Sequence, residues 1–305
     1  MAFHFRKDEP LPDGLRRIAR ERIDKAIEAL QVADESVEGI HDARKKFKEI
    51  RALLRLARGL LGASYDCEKA WYRDARRSLS APRESQVALT TWEALLRRFP
   101  ELETTPAGAQ IRHRLEARLE AMGENAVRQA AEARQHLLES LPVARGRIAD
   151  WPLESAAFED LAGGMRRTYR QGRRGMRKAH GSDDDALWHE WRKRAQDLWY
   201  QTRLLRPVWP DHMRDREKRL KGLSGLLGDD HDLVVFRALL GREPELFGHP
   251  AFRAQLDERI ATRQHQLRTR AYSEGHGLWE DKPKDYARRI EAHWKAWSAD
   301  ENCEV

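Results

Sequence analysis

Residues 40–58, IHDARKKFKEIRALLRLAR, carry seven Arg or Lys side chains against two acids. At 100° per residue on a helix, the His and five basic side chains share one arc of about 120°. The arc consists of His41, Arg44, Lys45, Lys48, Arg51 and Arg55. Phe47, Ile50 and Leu54 occupy the opposite, apolar face. Like charges three and four residues apart repel on a helix. An arc without acids therefore suits an anionic ligand, although a single stripe of this kind is more often a solvated face.

The same pattern returns in LWHEWRKRAQDLWYQTRLLRP, residues 187–207. An offset of 148 residues places His189, Arg192 and Lys193 on three members of the first arc. This recurrence favours a binding role for the arc and predicts an internal repeat. The predicted halves are residues 1–150 and 151–305, within a single domain of residues 1–305. Chance similarity between two charged amphipathic helices is the alternative.

A third basic segment, RRTYRQGRRGMRK at residues 166–178, has seven basic side chains and no acid. Its helical stripe consists of Arg166, Arg170, Arg173 and Arg177, with Arg174 beside it. Gly172 and Gly175 either let another group approach the backbone or only weaken the helix. Arg offers a fork of donors that binds phosphate or carboxylate in a bidentate way. We interpret this segment as a further anion site.

The composition narrows the class of protein. The pI of about 9.5 suggests an anionic partner, and ten Trp argue against disorder. No apolar run approaches the length of a membrane helix, and the N-terminus lacks a signal-peptide stretch. Cys67 and Cys303 form neither a disulfide framework nor a metal-ligand spacing. We expect a soluble, cytoplasmic protein without cofactor, metal or membrane partner.

The apolar periodicity is helical nearly throughout, which predicts an all-α protein of long antiparallel helices. The predicted helices span 14–31, 36–60, 64–99 with a bend near Pro82, 107–139, 154–179, 185–206, 211–240 with an interruption near Gly228, 248–278 and 284–298. Pro142 is among the predicted helix breakers. Asp183 or Asp184 is the predicted N-cap of the helix that carries Trp188.

Several segments together resemble the CHAD (conserved histidine α-helical domain) family. One is His-x-x-Arg-Lys-x-x-Lys-x-x-Arg at 41–51, repeated as His-x-x-Arg-Lys at 189–193. Another is GLLGDDHDLVVF at 225–236, similar to that family's Leu-Gly-x-x-Asn/His-Asp-Leu segment. The segments 15–30 and 164–179 look like the helices that open the two halves of such a domain. The resemblance spans nearly the whole chain.

The resemblance implies two four-helix-bundle-like halves related by a pseudo-two-fold, with basic helices around a central cationic surface. It implies non-catalytic binding of inorganic polyphosphate, often at polyphosphate granules, with other granule proteins as further partners. The implied contacts are His41, Arg44, Lys45, Lys48, Arg51, Arg55, His189, Arg192 and Lys193. Additional expected contacts are Arg73, Arg76, Lys218, Lys221 and the 166–178 helix.

The second half departs from the first at two positions of the stripe. Gln196 and Trp199 stand where the first half has Lys48 and Arg51, so we expect the first half to carry more of the affinity. An imidazole close to phosphates holds a proton more tightly, which predicts tighter binding at mildly acidic pH. The alternative for each His is a hydrogen bond to a neighbouring helix.

Two other functions fit parts of the sequence. A nucleic-acid-binding protein fits the pI and the Arg content, and Trp71, Trp188, Trp191 and Trp199 could stack on bases, although such residues usually belong to the core. A metal-dependent His-Asp phosphohydrolase would use the His-Asp pairs at 41–42 and 231–232, but neighbouring Arg and Lys side chains repel a dication. Polyphosphate binding remains the preferred prediction.

Overall fold

The computed structural model describes residues 3–32, 37–79, 83–121, 123–154 and 156–299. Within these ranges the chain forms twelve α-helices, four short 3-10 helices and no strand, which confirms the all-α prediction. The helices are α1 Leu11–Gln31, α2 Val37–Leu56, α3 Arg58–Leu61, α4 Ser64–Ser78, α5 Arg83–Arg98, α6 Pro106–Ala121, α7 Gly123–Gly146, α8 Phe158–Ala179, α9 Asp185–Leu204, α10 Pro210–Arg242, α11 Pro250–Leu278 and α12 Pro283–Ala299. None of the described helices combines the length and the apolar character needed to cross a bilayer.

Local signals account for where several helices begin. Asp184 caps α9, because its side chain accepts a hydrogen bond of 2.8 Å from the backbone N–H of Ala186, as predicted. Proline opens α10, α11 and α12, where its missing N–H costs no intrahelical bond. Each of these helices then buries one apolar face.

Two predicted interruptions are wrong. Helix α10 runs through Gly228 without a break, because Leu227 and Leu233 are buried on either side and a helical glycine costs only about 1 kcal/mol. Helix α7 contains Pro142 and continues to Gly146, since Leu141 and Ala144 are fully buried. Pro82 and Cys303 lie outside the described residues, so the predicted bend at Pro82 stays a prediction.

Two hydrophobic clusters hold the helices together. The larger joins α1, α2, α4, α8, α9 and α12 to the first part of α10. The smaller joins α5, α6 and α11 to the second part of α10. Each cluster takes helices from both sides of residue 150, so the two cores do not separate where the predicted halves meet. The repeat stays a prediction, although α2 and α9 begin and end 148 residues apart.

Helices α2, α8 and α9 meet at the centre of the larger cluster. Gln201, which is 1% exposed, donates from Nε2 to the carbonyl of Ala52 at 3.4 Å and to the hydroxyl of Thr168 at 3.1 Å. Arg55 on α2 pairs with Asp197 on α9, and Glu49 pairs with Arg203. Because the order of partners reverses, α2 and α9 run antiparallel.

Glycines let α8 pack closely against this centre. A Cβ at Gly164 would lie 2.0 Å from the backbone oxygen of Leu56, and a Cβ at Gly172 would lie 2.7 Å from the indole of Trp279. Both distances are far below van der Waals contact. The group that approaches the backbone at Gly172 is thus a core indole, and the basic side chains of α8 extend from its other faces.

Candidate anion-binding clefts

The first cleft lies between α2, α4 and α9 and has a volume of about 310 Å³. Nine of its thirteen lining residues are Arg or Lys, and one is acidic. The lining consists of Lys48, Arg51, Arg55, Arg73, Arg76, Arg77, His189, Arg192, Lys193, Arg194, Gln196, Asp197 and Tyr200. Eight of the residues predicted to contact an anion are thereby brought together from three helices.

Arg51 shows how strongly the cations crowd one another in this cleft. Burial and the nearby charge of Arg55 lower the pKa of Arg51 to about 10, with Arg76 and Arg194 acting in the same direction. Its Nε atom is buried and has no hydrogen-bond partner. A guanidinium group in this state is stabilised by any anion that reaches it.

His189 lines the same cleft and stacks on His231 of α10, with ring centroids 4.2 Å apart. Burial, followed by the charges of Lys193 and Arg192, lowers the pKa of His189 to about 4. The Nδ1 atom is buried without a hydrogen-bond partner, and the ring of His189 contacts α10 by stacking on His231. The imidazole is neutral at pH 7 when the cleft holds no anion.

The second cleft lies between α2, α3, α4, α8 and α9 and has a volume of about 400 Å³. Seven of its twelve lining residues are basic, and one is acidic. The lining consists of Arg55, Arg58, Tyr65, Lys69, Arg167, Thr168, Gln171, Arg174, Gly175, Lys178, Glu190 and Arg194. Of the residues singled out from the sequence, this cleft contains Arg55, Arg174 and the final residue of the 166–178 segment.

Arg55 and Arg194 line both clefts, and two carboxylates hold them in place. Arg55 Nε lies 3.1 Å from Asp197 Oδ1, and Arg194 Nη1 lies 3.1 Å from Asp197 Oδ2. Arg194 Nη2 also lies 2.9 Å from Glu190 Oε1. Burial raises the pKa of Asp197, and the charges of Arg55 and Arg194 oppose that shift. We call these four residues the boundary network.

Three predicted contacts at the start of α2 lie outside both clefts. Arg44 is 7% exposed and donates from Nη1 to the backbone oxygen of Leu79 at 2.6 Å, so it anchors the end of α4. His41 is exposed and Lys45 is half-buried, and neither lines a cleft. Their contact with a ligand stays a prediction, and the structure gives Arg44 a packing role.

The stripe predicted on α8 lies outside both clefts, about 100° around the helix from the side that lines the second cleft. Arg166, Arg170, Arg173 and Arg177 line neither cleft. The cleft side of the helix instead carries Arg167, Gln171, Arg174 and Lys178, spaced at i, i+4, i+7 and i+11. Lys218 and Lys221 are exposed on α10 and also line neither cleft.

Sequence reasoning missed Arg58, Lys69 and Arg194 as lining residues, and within the 166–178 segment it placed neither Arg167 nor Lys178 on the predicted stripe. The signal for Arg194 was present, since the offset of 148 residues places it on Lys46 in the first basic helix. The signal for Arg167 was a second stripe on α8 with the same spacing as the chosen one. Only the packing of α8 on α2 and α9 decides between these stripes.

The residues expected to serve nucleic-acid binding or metal-dependent hydrolysis are in surroundings that do not suit those functions. Trp188 and Trp191 are 4% and 0% exposed, which leaves no face for a base. Asp230 pairs with Arg268 at 2.8 Å, while Asp229 and Asp232 line a separate small cleft with Arg263. Within the described part of the chain, no group of three or more His, Cys, Asp or Glu side chains is arranged to hold a metal ion.

Comparison with known proteins identifies the family. The model of the CHAD domain matches residues 17–241, and the chain belongs to the CHAD domain family. Among solved structures, the chain is similar to PptA from Streptomyces chartreusis, with a TM-score of 0.62 and 18% sequence identity. That match covers 90% of this chain and 100% of PptA, and at this identity it shows a shared fold. No curated protein matches the chain.

Proposed function

We propose that this protein binds inorganic polyphosphate in the two cationic clefts, without chemical turnover. The observation that carries the proposal is the gathering of nine Arg and Lys side chains in the first cleft, where burial first and then the charge of Arg55 lower the pKa of Arg51 to about 10. Repulsion of this kind costs folding free energy unless an anion relieves it. A cluster built from α2, α4 and α9 in this way is suited to an anionic ligand.

Polyphosphate suits these clefts because it is highly charged and because all its repeating units are identical. It is a flexible chain with about one negative charge per phosphate, so a basic surface displaces its condensed counterions as it does on DNA. The expected affinity therefore falls steeply with salt. Because every repeat is the same, recognition needs only charge and spacing, which the Arg and Lys side chains supply.

Nucleic acid is the second candidate, and the buried indoles weigh against it. Proteins that bind single strands without sequence preference combine a basic groove with exposed aromatic platforms. Trp188 and Trp191 belong to the core here, and Trp199 stacks on Tyr200 at 4.9 Å. Association with polyphosphate granules, in contact with other granule proteins in the cytoplasm, would follow from the preferred function.

The test is calorimetry with long-chain polyphosphate at two salt concentrations. We expect Arg51→Gln/Lys193→Gln to lower the affinity by at least about tenfold, because each lost charged hydrogen bond is worth about 1.5 kcal/mol or more. The matched control is Arg97→Gln/Arg270→Gln, which removes the same charge from exposed positions on α5 and α11. We expect the control to bind within about twofold of the wild type.

Three results would contradict the binding part of the proposal. The first is no binding of polyphosphate by the wild type at low salt. The second is an equal loss of affinity in the cleft variant and in its control, since the clefts would then not be the site. The third is tighter binding of single-stranded RNA or DNA than of polyphosphate at the same salt. Release of inorganic phosphate by the purified protein with Mg²⁺ or Mn²⁺ would contradict the non-catalytic part.

A further inference from the structure

The basic side chains that line the two clefts form two separate groups. In the first cleft, Arg51, Arg192 and Lys193 lie on one side of the boundary network. In the second cleft, Arg58, Arg167 and Lys178 lie on the other side. Between the two groups, the guanidinium groups of the boundary network face the carboxylates of Asp197 and Glu190, and Glu190 also pairs with Lys193 of the first cleft at 3.2 Å.

A single continuous groove would have another arrangement. Its cations would be evenly spaced, and a short anion would find one series of overlapping positions. Here a short anion that moves from one cleft to the other meets two carboxylates, which repel it. The linings agree with two separate cavities, of about 310 and 400 Å³, because the two lists of residues share only Arg55 and Arg194.

We propose that the two clefts are separate subsites for condensed phosphate and that one long phosphate chain bridges them across Arg55 and Arg194. This inference rests on the proposed function and adds a chain-length preference to it. A short chain occupies each cleft independently. A long chain gains the second cleft as an intramolecular event, which raises its affinity without any new kind of contact.

Arg55 and Arg194 make the crossing possible. Both guanidinium groups line both clefts, so a phosphate at the boundary can replace Asp197 as the ion-pair partner of Arg55 and as the hydrogen-bond acceptor of Arg194. Burial favours the neutral form of Asp197 and the charges of Arg55 and Arg194 oppose that shift, so a phosphate competes with Asp197 for both guanidinium groups. Only a ligand that continues into both clefts gains enough contacts to make this exchange favourable.

The experiment compares tripolyphosphate with size-fractionated longer chains by calorimetry. For the wild type we expect two molecules of tripolyphosphate per protein and one molecule of a chain long enough to bridge, bound roughly 100-fold more tightly or more. Arg51→Gln/Lys193→Gln should remove one of the two tripolyphosphate sites. Arg167→Gln/Lys178→Gln should remove the other, and each variant should weaken the long chain by at least about tenfold.

Helix α8 offers a closely matched control. Arg166→Gln/Arg177→Gln changes the immediate neighbours of Arg167 and Lys178 and removes the same charge, but these side chains line neither cleft. We expect this variant to keep both tripolyphosphate sites and to bind the long chain within about threefold of wild type. Circular dichroism and the thermal midpoint establish that each variant is folded.

The outcomes separate this inference from the proposed function. Tight binding of the long chain with a single tripolyphosphate site overturns the two-subsite inference and leaves polyphosphate binding intact. So does a second-cleft variant that behaves like its α8 control. Failure of the wild type to bind any phosphate chain overturns the proposed function. If the protein binds two molecules of tripolyphosphate but binds longer chains no more tightly, the bridging step alone is overturned.

Discussion

Glu49 on α2 and Asp197 on α9 are carboxylates in corresponding positions with different surroundings. They are 148 residues apart, and each pairs with an Arg of the opposite helix: Glu49 with Arg203 at 2.9 Å and Asp197 with Arg55 at 3.1 Å. Arg55 and Arg203 are also 148 residues apart. Such reciprocal pairing is what a pseudo-two-fold between α2 and α9 would produce.

The two pairs differ in what covers them. Glu49 is fully buried, and Arg203 lies over the ring of Phe3 at 5.2 Å, so the N-terminal segment closes this end of the helix pair. The backbone N–H of Phe5 fixes that segment by donating to the carbonyl of Leu204 at 3.1 Å. Asp197 instead borders the first cleft. The same ion-pair chemistry is structural where it is covered and accessible to a ligand where it is open.

The largest expected effect is that of Glu49→Gln. Loss of the carboxylate leaves the buried guanidinium of Arg22 and that of Arg203 without this partner, which typically costs about 3–5 kcal/mol. Urea unfolding followed by circular dichroism measures the change in the free energy of unfolding. A loss of unfolding free energy below about 1 kcal/mol would mean that the buried ion pairs of Glu49 contribute little to the stability of the fold.

Asp197→Asn should have a smaller effect on stability and an opposite effect on binding. Because Asp197 borders the first cleft and Arg194 keeps Glu190 as a partner, the neutral replacement should cost only about 1 kcal/mol. Arg55 and Arg194 then lose a competing anion, so we expect the affinity for polyphosphate to rise by about threefold or more. The measurements are urea unfolding and calorimetry in the same buffer.

Asp257→Asn is the matched control for that variant. Asp257 forms a bidentate pair with Arg237 on helices of the smaller core cluster and lines neither cleft. It therefore reports the effect of removing one negative charge and one Arg partner elsewhere. An equal gain of affinity in both variants would show that net charge, and not the boundary network, controls binding.

Much of the fold could be predicted because helix periodicity, proline and N-caps are local signals. The predicted span 185–206 differs from α9 by two residues, and its cap at Asp184 is confirmed. The error at Gly228 has a physical cause: a glycine weakens a helix by less than the burial of Leu227 and Leu233 strengthens it. Local propensity does not reveal that tertiary contribution.

Residues that line the clefts were predicted where a single helix determines them and were missed where the packing of helices determines them. Lys48, Arg51 and Arg55 share a face by helical spacing alone, and they line the first cleft. On α8 two basic stripes have equal spacing, and the packing of α8 on α2 and α9, with Gly164 against the backbone of Leu56, selects the one that lines the second cleft. Arg44 belongs to the predicted arc, yet the end of α4 takes its guanidinium group.

The smallest expected effect is the pH dependence of polyphosphate affinity. It distinguishes His189 on α9 from His41 on α2. The pKa of His189 is about 4 in the empty cleft, against about 6.5 for an unperturbed imidazole. Since the folded value is depressed, this group favours the folded state fully above pH 6.5, and its contribution is lost as the pH falls towards 4. A phosphate bound in the cleft places negative charge beside His189, and this charge raises the pKa of the imidazole. Binding of polyphosphate is therefore accompanied by the uptake of a proton.

We therefore expect polyphosphate affinity to rise by about threefold between pH 7.5 and 5.5, and His189→Asn to remove the rise. Lys193, Arg192 and Arg76 oppose protonation of His189 and Glu190 favours it, so the gain appears only with ligand bound. His41→Asn is the matched variant, because His41 is exposed and lines neither cleft. Titration of the ligand's own phosphates is common to all three proteins and cancels in the comparison. If His41→Asn removes the rise and His189→Asn keeps it, the proton-linked contact lies at the start of α2 and not in the first cleft.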